Sequence, residues 1–126
     1  MEDKKFWDLI DLARTDRGGA YRAALEALTN DELIDFYWDY EDSKKMMMAK
    51  RFIDQLPPPV SENELEDIAD SVVAKGLEYF DSVLLDPTTF PRSFPRRTAR
   101  SYFNEDAATL YEQRTGKPLP FRERSE

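Results

Sequence analysis

Glu62, Glu66 and Asp70 recur every four residues, so a helix through this stretch pairs Glu62 with Glu66 and Glu66 with Asp70 along one face. Such carboxylate pairs, with Glu64 and Asp67 beside them, are able to hold Mg²⁺ or Ca²⁺ with water completing the shell. Acids in the first turns of a helix also complement its dipole and form an ordinary solvated face, and that second reading is the one adopted. No DxDxDG loop, HExxH or facial triad accompanies them, so no metal or other cofactor is expected.

The chain contains no histidine and no cysteine among its 126 residues. It therefore has no side chain whose unperturbed pKa falls between pH 5 and 8, no imidazole ligand, no thiolate nucleophile and no disulfide. GxSxG, P-loop and GxGxxG patterns are absent as well. Acid–base chemistry would rest on Asp/Glu pairs held at specific separations, which a sequence does not display. A non-enzymatic role is expected.

Two other constellations point to binding. Phe36-Tyr37-Trp38-Asp39-Tyr40-Glu41-Asp42 is the densest aromatic stretch, and successive helical residues are separated by about 100°, so these rings cannot all face one core. Aromatics ringed by acids suit a basic protein partner, and Tyr37, Trp38, Asp39, Tyr40, Glu41 and Asp42 form the expected contact patch. The alternative contact is with nucleic acid: Arg92, Arg96, Arg97 and Arg100 interleave with Phe90, Phe94, Tyr102 and Phe103, a composition that pairs phosphates and stacks bases. The competing reading of these arginines is an intramolecular clamp onto acidic surface.

The elements that must position these residues read as helices. Phe6, Leu9, Ile10 and Ala13 form an i, i+3, i+4, i+7 stripe over about Asp3–Arg14, which Gly18-Gly19 interrupts. A short helix with Tyr21, Ala24, Leu25 and Leu28 follows, and Thr29-Asn30-Asp31-Glu32 is a capping box that opens a third. The polar Glu41–Lys45 stretch either breaks that helix or exposes one turn of it. Met46–Ile53 resumes helical character, with one or two of the three methionines in the core, and stops at Pro57-Pro58-Pro59. A second capping box at Ser61 opens the clearest helix, running to Asp86-Pro87. A last helix is expected from about Ala99 to Thr115, with Gly116 past its end. No segment alternates with period 2. The fold is expected to be all-α: one compact bundle of about five helices in a single domain over 1–126, with an extended Pro/Arg-rich connector at 91–100 before the last helix and an extended tail at 117–126.

The net charge of −8 disfavours non-specific nucleic-acid binding by the chain as a whole. Residues 1–90 carry 10 Lys/Arg against 21 Asp/Glu, whereas residues 91–126 carry 8 against 5. No apolar run approaches the roughly 20 residues of a membrane span. The acidic MEDKKFWDLI start has no apolar leader core, so a cytoplasmic protein that does not engage membranes is expected.

FWDLIDLAR (6–14), LTNDELIDF (28–36), GLEYFDSVLLDPTTF (76–90) and ATLYEQRTGKPLP (108–120) occur in an order that resembles a bacterial all-helical family of unknown function. That family opens on an FWxLI helix and closes on a YExxTGxxLP tail. Pro57-Pro58-Pro59 and Ser61-Glu62-Asn63 stand where the family has small residues and a paired-Asp helix start, so no role of paired aspartates carries over. The resemblance implies a helical fold and transfers no activity, cofactor or catalytic residue. Size and charge together suggest a binding or regulatory protein, in concrete form an immunity- or antitoxin-like neutraliser of a basic partner.

Overall fold

Helix starts and stops follow the capping chemistry of the sequence. Thr29 Oγ1 accepts from the Glu32 N–H at 3.1 Å while Glu32 Oε1 accepts from the Thr29 N–H at 3.0 Å, a reciprocal box at the head of the third helix. Ser61 Oγ accepts from the Glu64 N–H at 3.1 Å. Gly116 takes φ 72°, the left-handed conformation that ends a helix at little cost only for glycine, and returns its N–H to the Glu112 carbonyl at 2.8 Å.

The computed structural model describes residues 1–92 and 102–122. Apart from Pro91 and Arg92, the expected connector lies outside them. Among the described residues the chain is all-α and forms seven α-helices: α1 (Asp3–Asp16), α2 (Ala20–Glu26), α3 (Asn30–Met46), α4 (Lys50–Ile53), α5 (Glu62–Ala74), α6 (Leu77–Leu85) and α7 (Asn104–Thr115). A 3₁₀ turn at Pro87–Thr89 follows α6, its first N–H groups received by Asp86.

Several boundaries differ from the expected ones, each for a physical reason. α3 runs unbroken through Glu41–Lys45 to Met46, because Lys44 is buried and partnered and no turn is exposed there. Met47 and Met48 then leave the helix, and only one turn, α4, follows. The expected long helix after Ser61 is two: Gly76 at φ 99° leaves helical geometry, and α6 restarts from it. α7 begins at Asn104, after Tyr102 and Phe103, and not near Ala99.

The chain divides into two compact units, Met1–Glu41 with Phe103–Glu126, and Asp42–Tyr102. In the first, α1 packs on α2, and the stripe Phe6, Leu9, Ile10 and Ala13 is buried with Tyr21, Leu25, Leu33, Phe36, Tyr40, Phe103 and Ala107. Rings supply much of this core. Phe36 lies 5.6 Å from Phe6, 6.3 Å from Tyr21 and 6.3 Å from Tyr40, and Tyr40 lies 6.4 Å from Phe103. In the second unit α5 packs on α6, burying Leu65, Ile68, Ala69, Val72 and Val73 with Phe80 and Val83. Phe52 of α4 meets Phe90 at 5.3 Å.

Candidate functional site

Along α3 the residues Leu33, Phe36 and Tyr40 share one face at spacings of three and four, and all three are buried. Tyr37 falls beside that phase and Trp38 nearly opposite it; both are half-buried, their rings edge-on at 5.0 Å. On α7 the spacing of Glu105, Ala108, Thr109 and Glu112 likewise puts four residues on one face. Tyr37 and Trp38 line a surface groove of about 390 Å³ together with these α7 residues, and Pro118 and Leu119 complete its wall. The groove thus brings two aromatic rings and two glutamates around one opening. Glu112 makes no ion pair among the described residues.

The segment after Gly116 continues along the outer side of α3. Trp38 Nε1 donates to the Pro120 carbonyl at 2.9 Å, and the Phe121 ring stands 5.0 Å from the indole at 64°. Arg122 Nη1 donates to Asp39 Oδ1 at 2.9 Å and to Asp35 Oδ1 at 3.3 Å. The amino group of Met1 lies 3.4 Å from the Asp39 carboxylate and 3.9 Å from that of Asp35.

The six residues expected as a contact patch therefore divide. Tyr37 and Trp38 line the groove, whereas Asp39 is not part of its lining and pairs with Arg122. Tyr40 does not belong to a surface patch: it is fully buried, four residues on from Phe36 and in the same helical phase. Glu41 accepts from Asn104 Nδ2 at 2.9 Å, and Asp42 is half-buried in the second unit. Glu105, Glu112 and the Pro118–Arg122 segment were missed by sequence reasoning. The i, i+7 spacing of the two glutamates and the apolar-aromatic run after a helix-ending glycine were the available signals.

The α5 acids hold protein groups. Glu66 Oε1 accepts from Lys44 Nζ at 2.9 Å, Asp67 accepts from the Tyr102 hydroxyl, and the buried Asp70 accepts from the Tyr102 N–H at 2.9 Å. Together they support Tyr102 at φ 56°, a left-handed conformation unusual for an aromatic residue. Burial, and then the negative carboxylates of Asp67, Asp70 and Glu66, push the Tyr102 hydroxyl above the ordinary tyrosine range. Glu62 and Glu64 are exposed at the start of α5. Among the described residues no three carboxylates gather closely enough to hold a metal ion.

Of the arginines expected as an alternative nucleic-acid contact, Arg92 is exposed, and Arg96, Arg97 and Arg100 lie outside the described residues. A second cleft in the first unit, about 370 Å³, has Tyr21, Leu25 and Leu110 at its base and Arg17, Arg22 and Asp106 among its polar lining. Arg17 is committed within it, donating to Asp106 at 2.8 and 3.3 Å and lying 5.0 Å from the Phe103 ring centre.

These features define an all-α protein with an acidic–aromatic groove on its first unit, and no helix of the described residues is long and apolar enough to cross a membrane. Over residues 1–113 the chain matches the family described as "Protein of unknown function (DUF4240)", and it belongs to that family. Searches of curated proteins and of solved structures find no match.

Proposed function

We propose that this chain is a non-enzymatic binding protein, acting in the cytoplasm, whose first unit receives a basic segment of a protein partner. The observation that carries this reading is the groove that joins Tyr37 and Trp38 to Glu105 and Glu112. A lysine or arginine side chain entering it lays its methylene stem along Ala108 and brings its cation to the rings and carboxylates. Cation–π attraction contributes about 0.5–1 kcal/mol at an exposed site and more once the cation is desolvated. Charge adds steering at longer range: the first unit carries 9 Lys/Arg against 16 Asp/Glu, a balance of −7, while the second carries 9 against 10. A neutraliser of a basic protein, of the immunity or antitoxin kind, is the concrete form of this proposal.

Affinity capture from native lysate, at low and moderate salt and after nuclease treatment, tests it when wild type is compared with the Glu105→Lys/Glu112→Lys variant. Glu105 and Glu112 are both exposed, so the reversal leaves the core intact. A stoichiometric basic partner retained by wild type and lost by the variant supports the reading. Nucleic acid recovered in its place, and lost on nuclease treatment, moves the argument to the Arg92–Arg100 segment. Recovery of the bait alone ends it.

A further inference from the structure

Resting on that reading, we infer that the segment Pro120–Arg122 is a tethered occupant of the α3 face, and that the partner segment which replaces it is an extended one offering a backbone carbonyl, an aromatic ring and an arginine in succession. Three different chemistries hold the segment. The Pro120 carbonyl receives the indole N–H of Trp38, the Phe121 ring meets the edge of the same indole, and Arg122 reaches two carboxylates one helical turn apart, Asp35 and Asp39. Asp35, Trp38 and Asp39 follow at spacings of three and four, so one stripe of α3 reads three consecutive residues of an extended chain.

The hold is also built to be released. The segment is non-helical, and it is held through side chains, with the Pro120 carbonyl receiving Trp38 and the Asp35 carbonyl receiving Arg122 at 3.5 Å. Phe121 remains 74% exposed, a large ring resting on Trp38 with most of its surface in water. Ion pairs at partly exposed carboxylates such as Asp35, 42% exposed, contribute little net binding. What keeps the segment seated is the tether from α7: a short linker supplies an effective concentration on the order of millimolar, so even a weak site is substantially filled. A partner segment with the same three groups on a firmer frame competes for Trp38, Asp35 and Asp39, and its apparent affinity is reduced by the fraction of chains in which the tail is seated. Because Pro118 and Leu119 form a wall of the groove, displacing the tail also opens the space beside Tyr37, Glu105 and Glu112.

The test uses the full chain and, as probe, a labelled peptide with the sequence of residues 117–124, KPLPFRER. The Phe121→Ala/Arg122→Glu variant unseats the tail without touching the face beneath it. Expected is a peptide affinity about tenfold higher for the variant than for wild type, as removal of a competing tethered ligand requires. Adding Asp35→Asn/Asp39→Asn to the variant, or replacing the arginine at the peptide position of Arg122 by glutamate, lowers that affinity severalfold. Trp7 is buried, so iodide quenching of tryptophan fluorescence reports Trp38 and rises in the variant. Equal peptide binding by the two chains, or unchanged quenching, overturns the inference. A partner captured equally by both chains sinks the tethered occupant and leaves the groove reading standing. Peptide binding by the unseated chain with no partner captured sinks the groove reading instead.

Discussion

Lys44 donates to Glu66 at 2.9 Å from a side chain that is only 2% exposed, while Glu66 itself keeps 42% of its side chain in water. The Lys44 ammonium also lies 4.8 Å from the centre of the Tyr102 ring. Burying an ammonium costs several kcal/mol, which the carboxylate and the ring offset. The two ends of this pair are therefore not equivalent. Lys44→Met replaces the cation by an apolar stem of similar length and leaves Glu66 able to turn to solvent, so stability changes by about 1 kcal/mol or less. Glu66→Ala removes the carboxylate from a buried cation and costs about 3 kcal/mol. Urea unfolding of the two variants decides the matter, and a larger loss for Lys44→Met contradicts the account.

Tyr21 reports on the first unit in the same way. Its hydroxyl donates to the Phe103 carbonyl at 2.7 Å from a fully buried position. Tyr21→Phe removes this donor from a carbonyl that still receives the Asp106 N–H at 3.2 Å, and is expected to cost about 1 kcal/mol near neutral pH. Burial, and then the negative charge of Asp106 against the smaller effect of Arg17, raise the hydroxyl well above its ordinary 10. A raised tyrosine favours the fold below the ordinary value, and this contribution is lost as pH rises beyond it, where the unfolded chain ionises first. The gap between wild type and Tyr21→Phe therefore narrows above pH 10, which denaturant melts on either side of that value detect.

How much of this was legible in the sequence depends on the range of the interaction. The Thr29–Glu32 box, the Phe6–Ala13 stripe and the Gly116 terminus involve residues a turn or two apart, and each formed as the local pattern requires. Tyr40 is legible only by its phase: counting in fours from Phe36 places it inward, where it is buried, while its acidic neighbours suggest a surface position. Lys44 was not legible, because its burial is made possible by Glu66, 22 residues away, and a lysine in a polar run ordinarily marks solvent. The groove and its tail depend on contacts such as Trp38 with Pro120, 82 residues apart, which no local period encodes.

Glu32 makes the acid limb of stability predictable in sign. The hydrogen bond from Lys5, then that from the Thr29 backbone, hold its carboxyl at about 2, below the ordinary 4.5. A depressed carboxylate favours the fold above the ordinary value, and the contribution fades as pH falls from 4.5 towards 2. Glu32→Gln retains a capping acceptor and removes the titration. Wild type should be the more stable near neutral pH, and the two melting temperatures should converge across that acid window. Parallel pH curves for the two proteins contradict the assignment.

Arg114 closes the other end of the first unit's helical frame. The last carbonyls of a helix have no intrahelical donors and carry the negative end of its dipole, and here the guanidinium supplies donors from α7. Nη2 donates to the Glu26 carbonyl and Nη1 to the Leu28 carbonyl, each at 2.7 Å, with Asn30 Oδ1 at 3.2 Å from Nη1. Two carbonyls received by one planar fork is a geometry that lysine, a single point charge, does not reproduce. Arg114→Ala is expected to cost about 2 kcal/mol, within the range for hydrogen bonds to a charged donor. Arg114→Lys keeps the charge by the helix end but satisfies one carbonyl at a time, so it falls between alanine and wild type. Thermal unfolding ranks the three proteins, and amide exchange in α2 locates the loss. A lysine variant as stable as wild type would mean that charge alone, and not the fork, secures the α2 terminus.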